Sequence, residues 1–238
     1  MTSSPTVSRQ VALRDLGLII ATLLISKSVL LQFNAIWTFA GPISLLLTFG
    51  VATVLLKRSG EGWTGVGLVR PPSWVKLAIW TVIALVVGIG VDIGAQVLTQ
   101  LTLPPPSETT QAIDSRYQGR FSNLPGNLPV FLMWLALAWI IGGFIEEMLF
   151  RGALITRLEQ ALKGLPLGVF LAIILQGVLF GQQHYYYQGW GGFIATGLVA
   201  IASGVLYLVF KRNLWPFILS HGLSNTIGLT VLYFSTPA

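Results

Sequence analysis

Long apolar segments alternate with short polar or charged ones along most of the chain. A helix needs roughly 20 mostly apolar residues to cross the hydrocarbon core of a bilayer, which is about 30 Å thick. Seven segments approach that length, and they lie at residues 15–33, 35–56, 76–99, 128–150, 166–186, 190–210 and 214–234. The pattern therefore predicts an all-α, polytopic integral membrane protein, a bundle of about seven transmembrane helices that forms one domain over residues 1–238.

The composition points the same way and removes several classes of protein. Hydrophobic residues make up 54% of the chain and charged residues only 9%, whereas about a quarter of the residues in a soluble domain are charged. This excludes a soluble enzyme, a small secreted module and a disordered tail. The chain has no cysteine, so thiol nucleophiles, thiolate metal sites and disulfides are excluded as well.

The formal charge of +6 does not indicate a nucleic-acid partner, because the lysines and arginines cluster between the apolar segments. Such residues accumulate in short cytoplasmic loops. With seven helices, one side of the membrane holds Arg9, Arg14, Lys57, Arg58, Arg70, Lys76, Arg151, Arg157, Lys163, Lys211 and Arg212. The other side holds only Arg116 and Arg120, in a stretch over 103–127 that reads as an external loop of turns. The amino terminus is thus expected in the cytoplasm and the carboxyl terminus outside.

The first and third predicted spans each carry a charged residue in their interior, where a charge is costly. Lys27 interrupts the first span and Asp92 lies in the third, between Gly90 and Gly94. We expect Lys27 to reach a lipid headgroup or to pair with Asp92, and the two glycines to let another helix approach closely.

The fourth predicted span carries two adjacent carboxylates and an arginine. Glu147 and Arg151 are four residues apart on one helix face, so they are expected to form an ion pair. Glu146 is rotated by about 100° from Glu147, so it is free to point elsewhere and to act as a general base. The alternative is a solvated helix end near the cytoplasmic boundary.

Both histidines of the chain lie in late hydrophobic segments. His184 follows Phe180 by four residues, and His221 precedes Asn225 by four, so each pair shares a helix face. A single histidine on a helix is usually a core residue with a satisfied hydrogen bond. Both histidines of one chain in membrane segments, one of them stacked with an asparagine, favour a functional site.

Glu146, His184, His221 and Asn225 together suit the attack of water on a carbonyl group. A carboxylate activates the water, while histidine and asparagine donors stabilise the oxyanion that develops. Alternatively, Glu146, His184 and His221 could hold a catalytic zinc ion. Asparagine is a poor zinc ligand and the chain has no His-Glu-x-x-His helix, so we favour chemistry without a cofactor and keep zinc as the alternative.

These residues form three sequence blocks in a fixed order: Glu-Glu-x-x-x-Arg, Phe-x-x-x-His and His-x-x-x-Asn. The blocks are Glu146–Arg151, Phe180–His184 and His221–Asn225. They resemble the signature of the CAAX prenyl endopeptidase and bacteriocin-processing family of intramembrane proteases. The resemblance covers residues from about 140 to 230, and the first three spans match that family only in general hydropathy.

The resemblance implies roles for each block and a catalytic part over about 128–234. Glu146 and His184 would activate the water, and His221 with Asn225 would form the oxyanion site. Glu147, Arg151 and Phe180 would support the local structure. The implied activity is hydrolysis of a peptide bond in a peptide or membrane-protein substrate, with membrane lipid around the protein.

Two other functions fit the same residues. A proton-coupled transporter or channel also uses buried glutamate and histidine side chains as a relay, although the chain lacks a second copy of the blocks that an inverted repeat would supply. A non-catalytic scaffold or bacteriocin-immunity protein would keep the site and act by binding.

Overall fold

The computed structural model describes residues 7–104 and 107–235, and every regular element within them is helical. Their helices are α1 Arg9–Leu30, α2 Ala40–Arg58, α3 Gly62–Gly65, α4 Trp74–Thr102, α5 Glu108–Gly119, α6 Leu128–Ala161, α7 Gly168–Val209 and α8 Trp215–Tyr233. A short 3₁₀ helix, Asn34–Phe39, leads into α2. The prediction of an all-α protein is confirmed.

Four helical segments in the described part of the chain are long and apolar enough to cross a membrane. They are Asn34–Arg58, α4, α6 and α7. On α4, large apolar side chains such as Ile79, Val86 and Val97 are half or more exposed, which suits lipid rather than water as the surrounding solvent. The molecule is therefore an integral membrane protein. The predicted first and last spans are the helices α1 and α8, which lie outside this set of four.

Helix α7 contains the predicted fifth and sixth spans as two arms of a hairpin. Gln176 Nε2 donates to the carbonyl oxygen of Ala200 at 2.8 Å, although 24 residues of straight helix would separate them by roughly 36 Å. The chain reverses at Gly189, whose φ of 59° and ψ of −157° are disfavoured for residues with a side chain. The arms, 168–188 and 190–209, correspond to the predicted spans 166–186 and 190–210.

Helix α6 runs past residue 150, where the sequence analysis ended the fourth span. Its middle is π-helical over Ala138–Glu146 and Met148–Leu154. Arg151 and Arg157 were expected in a cytoplasmic loop, but both are buried in ion pairs with carboxylates. Because those charges are neutralised inside the fold, they do not end the helix, and the expectation of a loop there is wrong.

The predicted external loop over 103–127 contains a helix, α5, so the expectation of turns alone is also wrong. Two arginines, one on α5 and one just after its end, contact aromatic side chains of other segments. The Arg116 guanidinium lies 4.1 Å from the ring centre of Trp37, and that of Arg120 lies 5.2 Å from the ring centre of Trp134. Arg120 also donates to the carbonyl oxygen of Thr38 at 2.8 Å. The hydropathy pattern carries no sign of these cation–π contacts.

Helix α6 is the centre of the bundle. Leu149, Phe150 and Ala153 are buried in a core shared with α1, α2 and the first arm of α7. Met148 and Ile155 face a second core formed with α8 and the second arm of α7. The motif residues of α6 therefore lie between two packed layers, deep inside the protein.

Candidate active site

The three sequence blocks meet inside the bundle. Glu146 and Glu147 come from the π-helical part of α6, His184 comes from the first arm of α7, and His221 and Asn225 come from α8. Close contact between α6 and α8 makes the meeting possible. A Cβ added at Gly143 would lie 3.2 Å from the carbonyl oxygen of Ile218, so the two helix backbones almost touch.

The imidazole of His221 lies between the two glutamates. Its Nδ1 is 2.8 Å from Glu147 Oε1, and its Nε2 is 3.9 Å from Glu146 Oε2. A carboxylate bound to one ring nitrogen fixes the orientation of a histidine and decides what the other nitrogen faces. Glu147 therefore aims His221 Nε2 toward Glu146.

Glu147 also contacts Arg151 Nη1 at 3.1 Å, and both side chains are only 2% exposed. The ion pair expected from the spacing is present. Arg151 lies over the ring of Phe180, 4.7 Å from its centre. The sequence predicted a contact of Glu147 with Arg151, but it did not predict the contact of Glu147 with His221. The wider turn of a π-helix, frequent at functional sites, lets both adjacent glutamates reach one histidine.

His184 is oriented by its own helix. Its Nδ1 lies 2.9 Å from the carbonyl oxygen of Phe180, and since a carbonyl only accepts, Nδ1 carries the hydrogen and Nε2 is left as an acceptor. The ring of Phe180 packs 4.7 Å from that of His184 and 6.5 Å from that of His221, centre to centre. Phe180 thus fills the space between the two histidines.

Two cavities adjoin the motif residues. The first, of about 370 Å³, is lined by polar side chains that include Asp92, Glu147, Arg151, His184 and His221. The second, of about 580 Å³, is mainly apolar and is lined by Leu45, Trp134, Ile141, Glu146 and Leu229, among others. Glu146 and His184 therefore border different cavities.

Asn225 borders both cavities, together with Tyr117, Arg120, Phe121, Tyr187 and Ser224. Sequence reasoning missed all five of these neighbours. The ring of Tyr187 lies 5.5 Å from that of His184. Tyr117, Arg120 and Phe121 lie on and just beyond α5, which covers the site from the predicted external side.

Lys27 neither reaches the surface nor pairs with Asp92, the two alternatives expected for it. Its side chain is buried beside the first arm of α7, where Nζ lies 3.0 Å from Gln182 Oε1 and 5.6 Å from the ring centre of Tyr186. Asp92 accepts instead from the amide of Gln96 at 2.7 Å.

A metal ion is the alternative that the sequence left open for these residues. Within residues 7–104 and 107–235, no group of three or more histidine, aspartate or glutamate side chains is placed to hold a metal ion.

Comparison with known proteins identifies the part of the chain that carries the motifs. Residues 128–227 match the family model described as type II CAAX prenyl endopeptidase, Rce1-like. No curated protein and no solved structure matches the chain. The matched residues include all three motif blocks, the whole of α6 and α7, and most of α8. Residues 128–227 are therefore similar to type II CAAX prenyl endopeptidases, which supports the resemblance carried by the three blocks.

Proposed function

We propose that the protein is an intramembrane endopeptidase that hydrolyses a peptide bond by means of a water molecule activated by Glu146. One observation carries the proposal: His221 lies between Glu146 and Glu147, within a bundle of apolar helices. The similarity of residues 128–227 to type II CAAX prenyl endopeptidases supports this class of reaction. A peptide or a membrane protein is the substrate that such a site would accept.

In the proposed reaction, a water oxygen adds to the carbonyl carbon of the substrate while the Glu146 carboxylate takes one of the water protons. His184 Nε2 is a second acceptor that helps to orient the water from the neighbouring cavity, which adjoins that of Glu146 at Asn225 and Tyr187. The tetrahedral intermediate then collapses, the C–N bond breaks, and the proton held by Glu146 passes to the leaving amine. This is general base and then general acid catalysis by one carboxyl group.

The oxyanion of the intermediate would receive hydrogen bonds from Asn225 and His221. Asn225 Nδ2 has only a long contact of 3.5 Å to the carbonyl oxygen of Ala138 among the described residues, so an amide hydrogen is free for the substrate. His221 Nδ1 donates to Glu147, which only accepts, so Nε2 is the second donor when His221 is in its doubly protonated imidazolium form. Donors already in place stabilise the transition state without reorganisation.

Hydrolysis of a quenched fluorescent peptide library by the purified, detergent-solubilised protein tests the proposal. We expect cleavage that continues in the presence of a strong chelator, because the proposed mechanism draws on a carboxylate, two imidazoles and an amide. Loss of activity under chelator that zinc restores would contradict this mechanism and assign Glu146, His184 and His221 as ligands. If the protein cleaves no peptide, proton flux into liposomes would test the transporter alternative.

The orientation in the membrane is part of the proposal. We infer a cytoplasmic amino terminus, although Arg151 and Arg157 no longer count as loop residues. The basic residues Lys57, Arg58 and Lys211 lie at or just beyond the ends of α2 and α7, where the rule for cytoplasmic loops applies.

Gly142→Ala is expected to lower kcat/KM by about tenfold to a hundredfold with little loss of folded protein. An added Cβ would lie 2.7 Å from Asn225 Nδ2 and 3.5 Å from His221 Nε2, so the amide must move from its place beside the substrate. A misplaced or missing oxyanion donor typically costs up to about a thousandfold in rate. Kinetics on the best library peptide measure the effect.

Gly90→Ala is the matched control, because a Cβ at Gly90 meets no atom within 4 Å and alanine favours helix. Its activity is expected to equal that of the wild type. Equal activity of Gly142→Ala and Gly90→Ala would contradict the role given to Asn225.

A further inference from the structure

Asp92 is a carboxylate of a membrane span that faces the polar cavity. Helix α4 lines this cavity with Ala84, Leu85, Gly88, Ile89 and Asp92, which is the spacing of a single helix face. The side chain is partly exposed, and it lines the same cavity as His184 and His221. A charge within a span is costly and marks a functional residue by default.

In the part of the chain that the structure describes, Asp92 forms no ion pair. Its hydrogen-bond partner is the amide of Gln96, on the same helix. Neither arginine of the cavity lies within ion-pair distance of Asp92: Arg151 pairs with Glu147, and Arg120 Nη2 donates to the carbonyl oxygen of Thr38. The negative charge of Asp92 is therefore left for a cation from outside the chain.

We propose that Asp92 binds a lysine or arginine side chain of the peptide substrate, and so determines part of the specificity. This inference rests on the proposed endopeptidase function. We place the two sides of the scissile bond in the two cavities, which adjoin at Asn225. Apart from Glu146, the described lining of the second cavity contains no carboxylate. The preference for a cation is thus confined to one side of the scissile bond.

Paired peptides test the inference. Starting from a cleaved library peptide, each position near the scissile bond is filled in turn with arginine or with citrulline, its uncharged isostere. We expect the wild type to favour arginine by about tenfold in kcat/KM at positions on one side of the bond, in keeping with a charge-assisted hydrogen bond. In Asp92→Asn, which keeps an acceptor for Gln96, the ratio should fall to about one. Asp92→Arg should favour glutamate instead.

Asp114→Asn is the matched control, since Asp114 is exposed on α5 and lines neither cavity. It should keep the wild-type ratio. A ratio near one in the wild type, a preference on both sides of the bond, or a ratio unchanged in Asp92→Asn would each overturn the inference.

A binding measurement separates this inference from the proposed function. With Glu146→Ala as the background, arginine and citrulline peptides carrying a fluorophore are titrated with protein and followed by anisotropy. Tighter binding of the arginine peptide that is lost when Asp92→Asn is added supports the role of Asp92 even if the wild type cleaves nothing. Equal binding of both peptides overturns it even if cleavage is observed.

Discussion

Glu146→Gln is expected to reduce kcat for peptide hydrolysis by about a thousandfold, because a positioned general base contributes a factor of roughly 10² to 10⁴. Glutamine keeps the size and shape of the side chain but cannot take a proton from water. Initial rates on the best library peptide, at saturating concentration, measure the loss. A variant that keeps a tenth or more of the wild-type kcat would exclude Glu146 as the base.

Two further variants show that this loss concerns the chemistry rather than the fold. Glu108→Gln makes the same change at an exposed position of α5 and should leave kcat unchanged. Glu147→Gln should lower the melting temperature as well as the rate, since it leaves Arg151 buried without its carboxylate. Glu146 makes no contact with Arg151 short enough for an ion pair, so Glu146→Gln should melt close to the wild type.

The sequence was sufficient to predict which residues share a helix face, because four-residue spacing is a local property of a helix. It thereby predicted the contact of Glu147 with Arg151 and the grouping of His221 with Asn225. Hydropathy also located both arms of α7. It could not show that Gly189 folds those arms into one hairpin, since the reversal depends on backbone angles and on contacts such as Gln176 with Ala200.

Depth in the membrane was the least predictable property of the site. At 1.5 Å per residue, the predicted spans placed His221 roughly 9 Å and His184 some 25 Å from the cytoplasmic side, so the two did not meet. In the structure both histidines line the first cavity, and α8 begins inside the fold. Leu214, just before it, is fully buried, and its N–H donates to the carbonyl oxygen of Gly67 at 3.0 Å. A segment after α3 thus covers the start of α8, a tertiary contact that hydropathy cannot reveal.

The lining of the cavities was beyond prediction for a similar reason. Arg120 and Tyr117 lie in a stretch whose polar residues resemble those of any external loop. Their place beside Asn225 depends on α5 packing over α7 and on the cation–π contacts of Arg120. Only the fold shows that this stretch forms part of the site.

Arg157→Met is expected to lower the free energy of unfolding by about 3–5 kcal/mol, the usual result of removing one partner of a buried ion pair. Arg157 Nε lies 3.0 Å from Asp15 Oδ2, and Nη1 contacts Glu61 Oε2. All three side chains are 2% exposed or less. Nη2 also donates to Ser59 Oγ at 2.7 Å. The guanidinium thus joins α1, the segment after α2 and α6.

Chemical denaturation of the detergent-solubilised protein, together with the monodisperse fraction recovered on gel filtration, measures this loss. Arg58→Met is the matched control, because Arg58 is exposed at the end of α2 and contributes little to stability. An Arg157→Met variant as stable as Arg58→Met would contradict the structural role of the network.

Removing the stranded carboxylates should reverse most of the loss. Replacing a whole buried ion network with apolar side chains is often neutral or stabilising, whereas breaking it at one member leaves charges buried and unpaired. The triple variant Arg157→Met, Asp15→Leu, Glu61→Leu should therefore recover much of the wild-type stability. Because none of the three residues lines either cavity, peptide hydrolysis should return with the fold. Recovered stability without recovered hydrolysis would instead mean that the network also sets the position of α6, and with it that of Glu146 and Glu147.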